Sequence, residues 1–119
     1  MAADAAQLLE RMVADVFNEH DADRRAAAIG ELFTDDVTFT DQDRVVRGRD
    51  DLVAVVTGLL AAGAPDFTFT HVGDFRGVGE LGMRAWSLGP AGGDAVAGGL
   101  DVIVVADGRI ASLWTVLDD

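Results

Sequence analysis

The spacing of apolar residues changes at Pro65, and this change limits the chain to a fold with helices before a sheet. Up to Pro65, three segments place apolar side chains three and four residues apart, which is the spacing of one helix face. After Pro65, apolar and polar residues mostly alternate, as they do in strands of a half-buried sheet. Apart from one short strand between the second and third helices, the helices precede the strands, and this order predicts a single α+β domain over residues 1–119.

Three helices are predicted before Pro65, over residues 4–19, 23–33 and 48–63. Asp23 is a suitable N-cap for the second helix, because its carboxylate can accept hydrogen bonds from free N–H groups of the first turn. This helix is predicted to turn inward Ala27, Ile29, Leu32 and Phe33. The third helix has the most regular apolar face, made of Leu52, Val55, Val56, Leu59 and Leu60.

Five strands are predicted, over residues 37–40, 67–72, 81–88, 95–105 and 110–117. The segments between helices and strands include a turn at 34–36, a polar connection at 42–47, a bulge or turn marked by Gly73 and Gly77, and a two-residue hairpin at Asp107-Gly108. Three helices on the concave face of a bent, mainly antiparallel sheet form a cone. Because these short helices cannot fill the cone to its tip, an internal pocket for a small apolar molecule is expected.

The charge and the missing residue types exclude several functions. A net charge of −12 repels phosphate backbones, so no nucleic-acid partner is expected. The mostly apolar segment at residues 52–60 is far shorter than the roughly 20 residues of a membrane span, so no membrane partner is expected. The sequence has no Cys and only two His, which argues against a metal site. We expect no cofactor and a cytoplasmic location.

Two aspartates are candidate catalytic groups. Asp101 lies in an apolar strand segment, where a carboxylate is costly to desolvate unless it is paired or protonated. If it faces the pocket, its pKa is raised and it can act as a general acid or base; otherwise it faces solvent or pairs with an arginine. Asp41 ends a strand and shares the face of Phe39. It is either a base or polar anchor at the pocket mouth, or an ordinary acidic residue of a surface turn.

Another group of candidates lies on two neighbouring strands. His71 shares a strand face with Phe69, and it is either a proton donor near neutral pH or a structural histidine. Arg84 and Trp86 share the face of the next strand. If that face is concave, Arg84 pairs with Asp101 or binds an anionic or carbonyl oxygen; otherwise it is a surface arginine. An ion pair with Arg84 would lower the pKa of Asp101.

Several segments together resemble a known superfamily over nearly the whole chain. They are Phe-Asn-Glu-His-Asp at 17–21, Leu-Phe-Thr-Asp-Asp-Val-Thr-Phe-Thr-Asp at 32–41, Gly-Arg-Asp-Asp-Leu at 48–52, Asp-Val-Ile-Val-Val-Ala-Asp-Gly-Arg-Ile at 101–110 and Leu-Trp-Thr-Val-Leu-Asp at 113–118. This set resembles the SnoaL-like branch of the nuclear transport factor 2-like superfamily. The resemblance implies that superfamily's cone-shaped fold. Because the superfamily holds isomerases, polyketide cyclases, hydrolases, dehydratases and non-enzymatic binding proteins, it does not by itself imply one activity.

The resemblance also implies roles for particular residues. Asp41 falls where ketosteroid isomerases of this superfamily place the general base, and Asp101 falls where they keep a neutral, proton-donating carboxyl. Their oxyanion-binding tyrosine has no counterpart, since its position is near Val13 and the chain has no Tyr. Thr115 stands where an epoxide hydrolase of this fold carries an acidic residue.

These observations predict a pocket for a small apolar, oxygen-bearing molecule. Proton transfer next to a carbonyl is expected, with Asp101 as the main acid–base group assisted by Asp41 and His71. The residues predicted to bind the ligand are Arg84, Trp86, Phe39, Phe69, Val13, Phe17, Ile103 and Trp114. The alternative is a non-catalytic ligand-binding or interaction module of the same fold. Under both, a homodimer through the outer sheet face is expected, where Val102, Val104 and Leu113 would otherwise form an exposed apolar patch.

Overall fold

Helices pack against one face of a curved, six-stranded sheet in the computed structural model, which describes residues 4–118. The helices are α1 (Ala5–Met12), α2 (Ala22–Leu32) and α3 (Arg49–Ala62), and α1 continues into a π-helical turn at Val13–Phe17. The strands are β1 (Phe33–Thr40), β2 (Val45–Arg47), β3 (Phe67–Val78), β4 (Leu81–Pro90), β5 (Ala97–Ala106) and β6 (Arg109–Leu117). No helix within residues 4–118 is both long enough and apolar enough to cross a bilayer.

The sheet has the strand order β2-β1-β6-β5-β4-β3. All neighbouring strands are antiparallel except β1 and β6, which run parallel. The predicted α+β architecture, with helices on a bent and mainly antiparallel sheet, is therefore confirmed. The predicted polar connection at 42–47 is partly wrong, because Val45–Arg47 form the edge strand β2 opposite Thr38–Thr40. Three residues at a sheet edge are too short to show a strand period.

The segment that comprises α2 and the start of β1 differs from the prediction in three places. Asp21 rather than Asp23 caps α2, accepting the backbone N–H of Arg24 at 2.9 Å. Ala27, predicted to face inward, is exposed, whereas Arg25 and Ala28 lie against the interior. Residues 34–36 belong to β1 and are not a turn; the pairing of β1 with β6 is irregular there, between Phe33 and Thr38.

The core lies between the helices and the concave face of the sheet. Its fully buried side chains include Met12, Val16, Ile29, Phe33, Leu52, Val56, Ile103, Ile110 and Leu113. Leu113 was predicted on the outer face, but it lies in this core. The reason is an irregularity in β6, where Val105 pairs with Ile110 and Val104 with Ser112, so one extra residue shifts the inward-facing positions. Leu59, predicted to face inward, is partly exposed.

Positive φ angles explain two of the predicted turns. Asp107 and Gly108 have φ values of 55° and 76°, as a two-residue hairpin loop between β5 and β6 requires, and this prediction is confirmed. Gly73 has a φ of 72° within the irregular pairing of β3 with β4 between Val72 and Arg76. Of the two alternatives predicted from Gly73 and Gly77, a bulge or a turn, the structure has a bulge, and β3 continues past it to Val78.

Candidate active site

A cavity of about 220 Å³ lies between the π-helical turn, the concave face of the sheet and the turn that joins β1 to β2. Most of its lining is apolar, from Val13, Phe17, Phe39, Leu59, Phe69, Trp86, Leu88, Ala97 and Leu117. The polar lining residues are Asp41, Asp43, Arg44, Asp101 and Thr115. A mostly apolar wall with a few polar groups is typical of small-molecule sites.

Asp101 is the buried polar group of this cavity, with 7% of the residue exposed. Its Oδ1 accepts two hydrogen bonds, one from the Trp86 indole N–H at 3.1 Å and one from the Thr115 hydroxyl at 2.8 Å. Within residues 4–118, Oδ2 receives no hydrogen bond and no cation forms an ion pair with this carboxylate. The carboxyl group is thus oriented through Oδ1, while Oδ2 has no hydrogen-bond partner among residues 4–118.

The strand register explains this arrangement. Thr115 on β6 lies directly opposite Asp101 on β5, so their side chains share the concave face. Trp86 on β4 pairs with Gly99, two residues before Asp101. A Cβ atom at Gly99 would lie 2.8 Å from the Trp86 ring and 2.5 Å from the Val116 carbonyl oxygen. The glycine therefore leaves the space in which the indole reaches Asp101.

Burial raises the pKa of Asp101 to about 6, and the hydrogen bonds from Thr115 and Trp86 oppose this shift without cancelling it. The ion pair with Asp101, one of the alternatives left open for Arg84, is absent, although Arg84 lies opposite Asp101 in the β4–β5 register. Its side chain reaches away instead and donates from Nε to the Gly73 carbonyl at 3.0 Å. A carboxyl that titrates near neutral pH can both take and give a proton during a reaction.

Aromatic residues form one wall of the cavity, and Asn18 holds that wall in place. Phe69 makes edge-to-face contacts with Phe17 and Trp86, with ring centroids 5.6 and 5.4 Å apart. Asn18 follows the π-helical turn, and its side-chain amide exchanges two hydrogen bonds of 2.8 Å with the backbone of Phe69. Sequence reasoning missed Asn18 as a site residue, although it lies within the 17–21 segment.

The mouth of the cavity is formed by the turn between β1 and β2. Asp41 uses Oδ1 to accept the backbone N–H groups of Asp43 and Arg44, at 2.9 and 3.0 Å. Its side chain thus has the turn-forming role left open by the sequence, while also lining the cavity. Arg44 and Asp43 are lining residues that the sequence did not single out, because a polar turn shows no sign of what it covers.

The comparison with protein families agrees with this geometry. The family described as the SnoaL-like domain matches residues 9–113. This chain belongs to the SnoaL-like family. A search of curated protein sequences found no match.

Solved structures of SnoaL-like and related proteins share the fold. A provisionally assigned isomerase of the SnoaL-like family from Agrobacterium tumefaciens is 26% identical, with a TM-score of 0.87 over 96% of this chain and 97% of that chain. A provisional SnoaL-like polyketide cyclase from Jannaschia sp. CCS1 is 13% identical, with a TM-score of 0.78 over 95% of this chain and 84% of that chain. A provisional ketosteroid isomerase from Kribbella flavida is 17% identical, with a TM-score of 0.72 over 95% of this chain and 76% of that chain. The last two likenesses show the fold alone.

Four residues predicted for the site of this SnoaL-like protein lie outside the cavity. Ile103 is fully buried in the core, and Trp114 lies on the outer face because the extra residue in β6 reverses its direction. His71 and Arg84 line a separate shallow recess beside α1. Burial, followed by the nearby Arg84 charge, lowers the pKa of His71, and its Nδ1 is buried without a hydrogen-bond partner among the described residues.

The remaining predicted site residues of this SnoaL-like protein come together. The cavity brings together Asp101, Asp41, Trp86, Phe39, Phe69, Val13 and Phe17. Across residues 4–118, no group of three or more acidic or histidine side chains is arranged to hold a metal ion. The polar groups of the cavity are the buried carboxyl of Asp101, the hydroxyl of Thr115 and the charged side chains of Asp41, Asp43 and Arg44.

Proposed function

We propose that this SnoaL-like protein binds a small apolar, oxygen-bearing molecule in the cavity and transfers a proton at the carbon next to its carbonyl group. Asp101 is the acid–base group of this proposal. The observation that carries it is a nine-tenths buried carboxyl group that faces an apolar cavity with one oxygen free of hydrogen bonds. The isomerase assignment of the Agrobacterium tumefaciens structure, which is 26% identical to this chain, fits the same class of chemistry.

The geometry fits a proton-transfer role for Asp101. The bonds from Trp86 and Thr115 hold Oδ1, so Oδ2 is directed to a ligand without a search among side-chain conformers. Oδ2 takes the proton from the carbon, the C–H electrons pass into an enolate, and the carboxyl returns the proton to the same or another carbon. The raised pKa makes the carboxylate a stronger base than an exposed aspartate. The cavity, at about 220 Å³, is smaller than the roughly 300–1,000 Å³ of drug-sized sites, which favours a ligand of one or two rings.

Hydrogen–deuterium exchange tests the chemistry with a defined probe. Cyclohexanone in D₂O exchanges protons next to its carbonyl, and NMR follows the rate with and without protein. We expect the wild type to accelerate this exchange, with a rate that rises as pH increases through about 6. Asp101→Asn is expected to lose at least about 100-fold of the acceleration. Asp66→Asn changes the charge equally at an exposed position outside the cavity and should have no effect. Equal rates for Asp101→Asn and wild type would refute the catalytic role.

Binding without chemistry is the second candidate, and the hydrogen-bond donors favour it. The Trp86 indole and the Thr115 hydroxyl both donate to Asp101. Among the described lining side chains this leaves Arg44, at the mouth, to stabilise the negative oxygen of an enolate. Native mass spectrometry of the purified protein tests this candidate. A retained small molecule, together with no acceleration of exchange, would support storage or transport rather than catalysis.

We also propose a homodimer through the outer face of the sheet. The central part of this face is uncharged in a chain of net charge −12 and carries Met83, Ala85, Leu100, Val102, Trp114 and Val116. Trp114 and Val116 are 38% and 56% exposed, which is an unfavourable state for a continuous apolar patch. Sedimentation velocity should give a dimer for the wild type and for Ala26→Glu on α2, and a monomer for Trp114→Glu. A monomeric wild type would contradict the proposal.

A further inference from the structure

The charges around the cavity are unequally compensated. Arg44 lies at the mouth between two carboxylates, with its Nε 3.5 Å from Asp41 Oδ1 and a terminal nitrogen 3.9 Å from Asp43 Oδ2. The guanidinium charge of Arg44 is therefore compensated by Asp41 and Asp43, which lie closer to it than Asp101 does. Asp101 has no cation in ion-pair contact within residues 4–118. Three carboxylates against one guanidinium make the lining net negative, so an anionic ligand is disfavoured.

The side chains around Asp101 favour a cation instead. Phe17, Phe39, Phe69 and Trp86 line the same cavity, and the faces of aromatic rings attract cations. A buried carboxylate is costly to leave unpaired, and a cation that enters the cavity supplies the partner that the described residues do not. A carboxylate combined with aromatic walls is an arrangement that suits an ammonium group on an apolar body.

We infer that the cavity takes a second class of ligand, a small apolar amine in its protonated form, with the ammonium hydrogen-bonded to Asp101 Oδ2. The apolar body of the amine packs against the aromatic wall held by Asn18. This inference rests on the ligand-binding role proposed for the cavity, and it adds a ligand that competes with the carbonyl compound. The amine and the ketone cannot both occupy Oδ2, so the amine inhibits proton exchange competitively.

The pH dependence of this binding follows from the charges that surround Asp101. Arg84, its neighbour on β4, lies outside the cavity and is directed to a backbone carbonyl of β3. The charged lining groups other than Asp101 are Asp41, Asp43 and Arg44 at the mouth. An alkylamine titrates near the lysine value of about 10.4, so it stays protonated across the neutral range. Amine affinity therefore rises with pH as Asp101 ionises around pH 6 and is lost below it.

Three probes with one ring size test the inference by isothermal titration calorimetry at pH 7.5. They are cyclohexylamine, cyclohexanol and cyclohexanecarboxylate, which differ in charge. Wild type should bind the amine at least about tenfold more tightly than the alcohol and bind the carboxylate most weakly. Asp101→Asn should reduce amine binding to that of the alcohol and leave alcohol binding within about threefold. Asp66→Asn should change none of these affinities.

Comparing the wild type at two pH values tests the inference without relying on the folding of Asp101→Asn. At pH 5 wild type should bind cyclohexylamine about tenfold more weakly than at pH 7.5, with cyclohexanol unchanged. Alcohol or carboxylate binding as tight as amine binding in the wild type would overturn the inference and leave the proposed binding role intact. Binding of none of these probes, nor of cyclohexanone, would overturn both. Amine binding without catalysed ketone exchange would support the inference and reject the proposed catalysis.

Discussion

Replacing Asp101 by asparagine is expected to stabilise the folded protein at neutral pH. A carboxyl whose pKa is higher in the folded than in the unfolded chain binds its proton more tightly when folded, so protonation favours folding. For Asp101 this stabilisation is complete below about pH 3.8 and is lost as the pH rises through about 6. Above that pH, the folded protein contains a buried carboxylate that the unfolded chain keeps in water.

The size of this effect follows from the two pKa values. The difference between 3.8 and about 6 corresponds to about 3 kcal/mol of unfolding free energy at pH 8. Asparagine has no charge, and its Oδ1 can still accept the hydrogen bonds of Trp86 and Thr115. The variant therefore avoids the cost of burying the charge while keeping both bonds.

Urea unfolding followed by circular dichroism between pH 4 and pH 8 measures the effect. The unfolding free energy of the variant should exceed that of the wild type by less than about 1 kcal/mol at pH 4 and by about 3 kcal/mol at pH 8. Taking this difference removes the contributions of the other acidic residues. The exposed Asp66→Asn control should stay within about 0.5 kcal/mol of wild type at every pH. A difference that is independent of pH, or an asparagine variant that is less stable at pH 8, would refute the assignment of a costly buried charge.

Two further predictions concern groups that support the site, and urea unfolding checks both. Asn18→Ala removes both hydrogen bonds to the β3 backbone and should lower the unfolding free energy by about 1–3 kcal/mol. An unchanged value would contradict this prediction and show that water takes over both hydrogen bonds. Gly99→Ala should lower the unfolding free energy by about 1–3 kcal/mol, because its Cβ would overlap the Val116 carbonyl and the Trp86 ring. Gly30→Ala in α2 places its Cβ where no atom lies within 4 Å, and it should raise the unfolding free energy by about 0.5–1 kcal/mol. Similar effects at the two glycines would contradict the steric explanation.

Most of the fold follows from local patterns in the sequence. The helical spacing of α3 and the Asp107-Gly108 hairpin depend on residues close together in the chain, and both are present in the structure. The strand β2 and the parallel pairing of β1 with β6 depend on contacts between distant segments. The alternation of a strand does not show which strand it pairs with or in which direction, and β2 is too short to alternate visibly, so a single sequence did not reveal these contacts.

The site was predicted less completely, for reasons that particular residues illustrate. Asp101 could be singled out because a carboxylate in an apolar strand is unusual. Trp114 is predicted to line the pocket, but the extra residue in β6 turns it to the outer face. Arg84 does share the face of Asp101, yet its long side chain bonds a carbonyl on another strand. Alternation gives the face of a residue, but it does not give the direction of a flexible side chain or the position of a bulge.

The hydrogen bond from Trp86 to Asp101 gives the protein an internal optical reporter. Indole emission responds to a nearby charge, and this indole N–H contacts the carboxylate whose charge changes near pH 6. The second tryptophan, Trp114, lies on the outer face and can be replaced by phenylalanine without touching the cavity. In such a variant, the emission of one residue would follow protonation and ligand entry directly, with no attached dye.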